Sequence, residues 1–295
     1  MMNLLILGSH GRLAAALAQN WGRGHSVVSL SKADLDVADL SMLETTLRNV
    51  PFDILVNGTG ITNVDRCESD RHLATLVNAE AQGVMARAAN EKSARLIHFS
   101  TDYVFDGQKK EPYDENDRPA PLGWYGRTKL DGEEAVLAAG DRHLVVRVSW
   151  IFGPDKPSFI DMLIEQARTR HTVEAIADKI SAPTFACDVA DWLEPFFAND
   201  LPGGILHACN AGGCSWREYG EHALQCAASV GVPLATTTVH GIALRDMKQF
   251  VAPRPPFTTL STKKLTELTG RTPRPWRDAV HDYISKHYAS IPSSA

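Results

Sequence analysis

Apolar blocks and stretches of helical period alternate through the first half of the chain. Leu4-Leu5-Ile6-Leu7 is a short apolar run that stops at Gly8, the pattern of a strand buried on both faces. The Ala/Leu-rich stretch 13–21 follows with helical character, and Gly22 ends it. Residues 26–30 read as a second strand, and 40–48 as a helix with Asp39 or Ser41 available as its cap. A third strand is expected at 54–57, a long helix at 73–89 and a fourth strand at 96–100. A helix at 124–138 and a fifth strand at 144–148 complete the series. A repeated βα order of this kind predicts an α/β fold: a doubly wound parallel sheet with helices on both faces.

Regularity fades after Trp150. Short helical patterns such as 159–168 mix with Gly153-Pro154, Pro202-Gly203-Gly204 and the Pro-rich stretch 252–257. The expectation is a smaller, irregular C-terminal region that receives the substrate. No repeat or low-complexity tract is visible, and 290–295 reads as a frayed tail.

Composition removes several classes. A chain of 295 residues with 44% apolar and 22% charged residues is ordinary globular material, which argues against disorder, collagen-like structure and coiled coil. The net charge is −5, and no basic cluster exceeds a pair such as Lys109-Lys110, so no nucleic-acid partner is expected. Cys67, Cys187, Cys209, Cys214 and Cys226 are odd in number and contain no C-x-x-C. They read as reduced thiols, with no metal site, which points to the cytoplasm. The opening apolar run is too short for a signal peptide or a membrane span, so no membrane partner is expected.

The first βα turn carries candidate cofactor chemistry. Gly8-Ser9-His10-Gly11-Arg12-Leu13-Ala14 has the spacing G-x-x-G-x-x-A between a strand and a helix. Glycines there permit a tight turn and let backbone N–H groups approach a pyrophosphate, while the helix N-terminus favours negative charge. The small Ala14 allows the helix to pack closely. The second strand ends Ser29-Leu30-Ser31-Lys32. A carboxylate at that end would hold a ribose 2′-hydroxyl, whereas Lys32 can pair with a 2′-phosphate. The reading is NADPH, with NADH as the alternative and Asp36 lining the adenine side.

Tyr125 and Lys129 stand four apart, on one face of the expected helix. A free tyrosine titrates near ~10. A nearby ammonium would lower that value and make the phenol a usable acid catalyst. Ser100-Thr101-Asp102 closes the fourth strand at the carboxyl edge, where ligands bind in open α/β sheets. A hydroxyl there can bond a substrate oxygen beside Tyr125.

With these residues assembled, the chain resembles the extended short-chain dehydrogenase/reductases, and within them the dTDP-4-dehydrorhamnose reductase family. The resemblance covers nearly the whole chain. It rests most on Ser100-Thr101-Asp102-Tyr103-Val104-Phe105-Asp106-Gly107, on Tyr125-Gly126-Arg127-Thr128-Lys129-Leu130-Asp131-Gly132-Glu133 and on Arg147-Val148-Ser149-Trp150. Thr62, Val64, Asp65 and Glu68 within 57–68, Ala182-Pro183-Thr184, Gly212-Gly213-Cys214-Ser215-Trp216 and Arg254-Pro255 also match.

The resemblance implies a Rossmann-type NADP-binding domain at 1–150, with a return at about 176–208. It implies a smaller, irregular α/β substrate domain at 151–175 and 209–295. Thr101, Tyr125 and Lys129 would be catalytic. Gly11, Arg12, Leu13, Asp36, Val37, Gly60, Ile61 and Thr62 would contact the dinucleotide; the reading of the residues themselves adds Gly8, His10, Ser31 and Lys32, together with Tyr125 and Lys129. Thr101, Asp102 and Trp150 would contact a sugar nucleotide, Trp150 as an aromatic platform.

The implied activity is NADPH-dependent reduction of the C4 keto group of a nucleotide-activated deoxysugar, dTDP-6-deoxy-L-lyxo-4-hexulose giving dTDP-L-rhamnose. A reductase or epimerase on another nucleotide sugar is an alternative. So is a non-catalytic NADP-binding subunit, since the resemblance reaches the regulatory subunit of methionine adenosyltransferase. The partner is the sugar-nucleotide substrate, with room for a homodimer. Several positions depart from the family. Ser31 stands where an acid is common, Lys179 where glutamine is usual and Ser181 where glycine is usual. Phe257-Thr258 replaces Asn-Ser, and Ser261 replaces an Asp or Asn.

Overall fold

A six-stranded parallel sheet forms the centre of the computed structural model, which describes residues 1–198 and 200–289. The strands are β1 (Asn3–Leu7), β2 (Ser26–Leu30), β3 (Ile54–Asn57), β4 (Arg95–Thr101), β5 (Leu144–Val148) and β6 (Gly204–His207). They lie in the order β6-β5-β4-β3-β1-β2, and every pairing is parallel. The side-chain period of two splits each central strand between two cores. Leu4 and Ile6 of β1 enter one cluster with Leu17, Trp21, Ile97, Val146 and Leu193. Leu5 and Leu7 enter another with Leu43, Leu47, Leu55, Leu96 and Val145. Two buried faces explain why β1 and β3 read as continuous apolar runs and why β4 and β5, over 96–99 and 144–148, are apolar apart from His98 and Arg147. The expected α/β, Rossmann-type sheet is present; β6, short and led by Gly204, carries no run long enough to announce itself.

Leu7 pairs with Leu30 and Asn57, Asn57 with His98, and Thr101 with Val148. β1, β2 and β3 therefore end in step, β4 and β5 run three residues further, and Gly8, Gly58, Asp102 and Ser149 follow the strand ends along one edge.

The helices of the first half are α1 (Arg12–Trp21), α2 (Leu40–Asn49), α3 (Val64–Ser69), α4 (Arg71–Thr75), α5 (Ala81–Glu91) and α6 (Trp124–Ala139). Asp39 is the cap of α2, accepting from the Met42 N–H at 2.9 Å. The single helix expected at 73–89 is interrupted by a π-turn at Leu76–Glu80. The Gln82 side chain donates at 2.7 Å to the Val77 carbonyl in this turn. Beside it, Gly132 of α6 lies so near the Asn78 carbonyl that a Cβ would collide with it.

The second half contributes α7 (Phe159–Ala167), α8 (Ala186–Leu193), α9 (Trp216–Ser229), α10 (Lys263–Thr269) and α11 (Trp276–Tyr288). α8 packs on α1 beside the central sheet. Leu163, Tyr219, Leu224, Trp276, Val280 and Ile284 of α7, α9 and α11 build a separate core. A parallel pair of strands, Val173–Ile176 with Val239–Ile242, belongs to this part. The tail expected to fray at 290–295 lies outside the described residues. Among the described residues no helix is long and apolar enough to cross a membrane.

Candidate active site

The end of β1 opens into a cavity of about 410 Å³. Gly8 there has φ +83°, and a Cβ on it would come 3.0 Å from the Gly58 backbone. Gly58 in turn would bring a Cβ to 2.8 Å of the Ala14 Cβ, so small residues at 8, 14 and 58 let α1 and β3 close on the turn. Gly11 is the N-cap of α1 and offers no side chain to its first amides. Those amides and the helix dipole suit a phosphate. Gly8, His10, Gly11, Lys32, Asp36, Val37, Gly60, Ile61 and Thr62 line the cavity, as does Leu35.

The other residues expected at the dinucleotide lie elsewhere. Arg12 does not line the cavity: its guanidinium donates to the carbonyls of Ile151 at 2.9 Å, Lys156 at 3.0 Å and Pro157 at 2.6 Å. Leu13 packs against the sheet core. Ser31 is buried, and both its N–H and its hydroxyl donate to the Asp34 carboxylate, at 2.8 and 2.7 Å. Lys32 and Asp36 pair across 3.2 Å at the surface. Two cations on the cavity wall, Arg66 of α3 and Lys156, escape sequence reasoning. Arg66 lay inside the matching 57–68 stretch, a signal that was available. Lys156 stands alone in a segment without periodicity and offered none.

Lys129 of the predicted trio stands at the far side of Gly60. Gly126 of α6 lies so close to the Tyr103 carbonyl that a Cβ would collide with it, and this approach brings α6 onto the turn after β4. Tyr125 is buried, and the Thr101 side chain acts on its phenol, opposing the effect of burial. The Tyr103 and Tyr125 rings meet edge to face at 5.6 Å. Lys129, one turn on, is buried and donates through Nζ to the Phe99 carbonyl at 2.6 Å. Its Nζ lies 4.0 Å from where a Gly60 Cβ would stand, so the lysine touches the cavity wall from behind.

Burial lowers the Lys129 ammonium to about 8, with Glu133 opposing the fall. The Tyr125 phenol moves the other way from the sequence expectation. Burial pushes it above the usual tyrosine range and the Asp102 charge adds to the rise, while the Thr101 side chain opposes it. The physical reason is that the Lys129 ammonium is turned to the Phe99 carbonyl, so desolvation governs the phenol. A phenol raised in this way is fully protonated at neutral pH, which is the form an acid needs.

Asp102 is buried behind Thr101. It accepts the Thr101 hydroxyl at 3.1 Å on one oxygen and the Ser149 hydroxyl at 2.8 Å on the other. Trp150 is half-buried with φ +46°, a left-handed conformation rare outside glycine. Its ring packs on Phe159, Trp216 and Tyr219 at centroid distances of 5.7, 5.3 and 4.6 Å. Thr101, Asp102, Tyr125 and Lys129 are thus brought together, while Trp150 joins the aromatic wall of the second core.

The glycine cradle at 8, 11 and 60 and the cations Lys32, Arg66 and Lys156 fit a phosphorylated dinucleotide in charge and in space. Comparison with known proteins agrees with this geometry. The model of the RmlD substrate binding domain family matches residues 2–289. The spore coat polysaccharide biosynthesis protein SpsK of Bacillus subtilis is 30% identical over 287 residues, covering 97% of this chain and 98% of that protein. A dTDP-4-dehydrorhamnose reductase of Mycolicibacterium smegmatis is 33% identical over 286 residues, covering 96% of this chain and 85% of that protein. The crystal structure of the dTDP-4-dehydrorhamnose reductase of Bacillus anthracis in complex with NADP superposes with a TM-score of 0.89 at 26% identity, over 97% of this chain and 99% of that one.

Proposed function

The chain belongs to the RmlD substrate binding domain family, and on that footing we propose that it is an NADPH-dependent reductase of the C4 keto group of a nucleotide-activated deoxysugar. We propose dTDP-4-dehydrorhamnose as the substrate and dTDP-L-rhamnose as the product, in line with the curated relatives. The observation that carries the reading is the buried set Thr101, Tyr125 and Lys129, with the Lys129 ammonium behind Gly60 on the wall of a phosphate-suited cavity.

NADPH, when bound, supplies the hydride that adds to C4. Tyr125 gives its phenolic proton to the carbonyl oxygen as charge develops there. Thr101 holds the Tyr125 oxygen in place, and Lys129, which donates to the Phe99 carbonyl, would hold the ribose of the bound cofactor. Burial of all three excludes water and strengthens each contact. Gly8, Gly11 and the first amides of α1 would hold the pyrophosphate, and Lys32 would serve the 2′-phosphate. We further propose residues 1–150, with a return at about 176–208, as the dinucleotide domain, and 151–175 with 209–295 as the substrate domain. A cytoplasmic location and a homodimer complete the proposal.

The test is a panel of nucleotide 4-ketosugars followed at the nicotinamide absorbance, with product analysis. Stoichiometric oxidation of NADPH and formation of dTDP-L-rhamnose support the reading. Turnover only with another sugar nucleotide transfers it to that substrate. Binding of NADPH without turnover on any member of the panel overturns it.

A further inference from the structure

Three of the positions that depart from the family meet at one place, behind the proposed proton donor. Lys179 is 1% exposed. Its Nζ donates to the Ser181 hydroxyl at 3.2 Å and the Pro255 carbonyl at 3.0 Å, and lies 4.9 Å from the centre of the Tyr103 ring. Ser181 Oγ and Thr258 Oγ1 are 2.8 Å apart. Thr258 in turn acts on the Asp102 carboxyl, favouring its ionised form.

The direction of this chain follows from its ends. An ammonium only donates, so Ser181 accepts from Lys179. A carboxylate only accepts, so for Thr258 to favour the ionised Asp102 its hydroxyl hydrogen must point there, and Ser181 then donates to Thr258. Asp102 also receives the Ser149 and Thr101 hydroxyls. A hydroxyl donor on each oxygen of one buried carboxyl suits its ionised form. The Thr101 proton is thereby committed to Asp102. Its oxygen also accepts the Tyr103 N–H at 3.2 Å, and its remaining lone pair is open to the Tyr125 hydroxyl.

We propose that Lys179 is a positioning residue for proton donation: through Ser181, Thr258 and Asp102 it sets the direction of the Thr101 hydroxyl, and so the seat of the Tyr125 oxygen. The inference rests on the reduction reading, which makes Tyr125 the donor. Burying an ammonium is costly, and glutamine would make the same neutral contacts to Ser181 and Pro255 without that cost. What glutamine lacks is the charge. Burial raises Asp102, and the field of Lys179 leads the groups that oppose it. Asp102 reciprocally opposes the fall of Lys179, whose pKa burial takes to about 8. Arg254 and the Tyr103 ring are the other charged or titratable groups facing Lys179, and Tyr103, Tyr125 and Cys209 face Asp102. If Asp102 takes up a proton, one of its donors must turn away. Thr101, at the longer of the two measured distances, is the one that turns, and its hydrogen then opposes that of Tyr125.

The experiment compares the wild type with K179Q and K179M, each saturated with NADP, and with D102N and the double variant D102N/K179Q. Carbon-13 NMR of aspartate carboxyls, with D102N for assignment, reads the charge of Asp102 without any turnover. The expected result is a midpoint raised by about one pH unit or more in the Lys179 variants. Where turnover is measured, kcat of K179Q falls about 10-fold below neutrality and recovers as pH rises and Asp102 ionises, with KM for NADPH unchanged. The double variant should be no slower than D102N, because both changes act through one group. An unmoved Asp102 midpoint, a pH-independent loss of kcat or additive losses in the double variant each overturn the proposal. Should K179M fail to fold, K179Q carries the same tests. A wild type inactive on every ketosugar defeats the reduction reading alone, since the NMR titration still decides whether Lys179 governs Asp102.

Discussion

Arg12, the first residue of α1, donates through Nε to the carbonyl of Lys156 at 3.0 Å, across a sequence separation of 144. Two further bonds, to Ile151 and Pro157, gather the same segment onto one guanidinium. The segment carries Lys156 to the wall of the cavity that Gly8 and Gly11 also line. We predict that Lys156→Ala raises the Kd for NADPH and NADH alike by about 10-fold, as loss of one charge-assisted phosphate contact should. Arg12→Met should do the same without touching the ligand, by releasing the segment. Calorimetric titration decides it; unchanged affinities in both variants would sink the idea.

Lys32 faces the cavity but is paired with Asp36 at the surface. NADPH is expected to bind more tightly than NADH. Lys32→Ala should narrow the gap by about 1–2 kcal/mol. Asp36→Ala should widen it, because the lysine is then free for the 2′-phosphate. Equal affinities in the wild type would contradict the cofactor assignment.

Tyr125→Phe keeps the ring against Tyr103 and removes only the hydroxyl. The variant should fold and bind NADPH normally, yet lose kcat by ~10²–10⁴-fold. Near-full turnover would exclude Tyr125 as the proton donor.

Asp65 accepts from the N–H groups of Val251 and Ala252 and from Arg254, all in a C-terminal segment. The bond to Arg254 leads the interactions that lower its carboxyl to about 2, against the opposing effect of burial. A depressed carboxylate contributes stability that is complete above its unfolded pKa and is lost as pH falls through the folded value. That window runs from the ordinary aspartate range, ~3.9, down to about 2. We expect Tm of the wild type to fall across it from this group, and Arg254→Met to flatten that part of the profile while lowering Tm at neutral pH. An identical pH slope in the variant would refute the assignment.

Trp150 couples the end of β5 to the ring cluster of Phe159, Trp216 and Tyr219. Trp150→Ala should raise KM for the sugar nucleotide and leave the NADPH Kd unchanged. Because the ring is packed, the variant should also lose about 3 kcal/mol of stability, read by denaturant unfolding. Trp150→Phe should restore stability more than KM. A loss of NADPH affinity with KM preserved would show that the residue serves the cofactor.

Periodicity and local chemistry determined the frame. Apolar runs ending at glycine set β1 and its turn, the βα alternation set a parallel sheet, and Asp39 set the start of α2. These features depend on residues a few positions apart, and so they can be read along the chain. The interruption of the 73–89 helix could not, because its π-turn goes with a carbonyl taken by Gln82 and with the close approach of Gly132 from a distant helix. Nor could the fate of Arg12. A guanidinium offers five donors in a fixed fork and goes to the acceptors the fold presents, here three carbonyls 139 to 145 positions away. Lys129 likewise belongs to a recognisable spacing, yet the carbonyl it holds and the burial that lowers it are set by β4. The residue types and the strand ends are local properties of the sequence. Which partner a long charged side chain takes, and how far its proton affinity moves, are decided by packing, because both depend on neighbours that only the folded chain brings near.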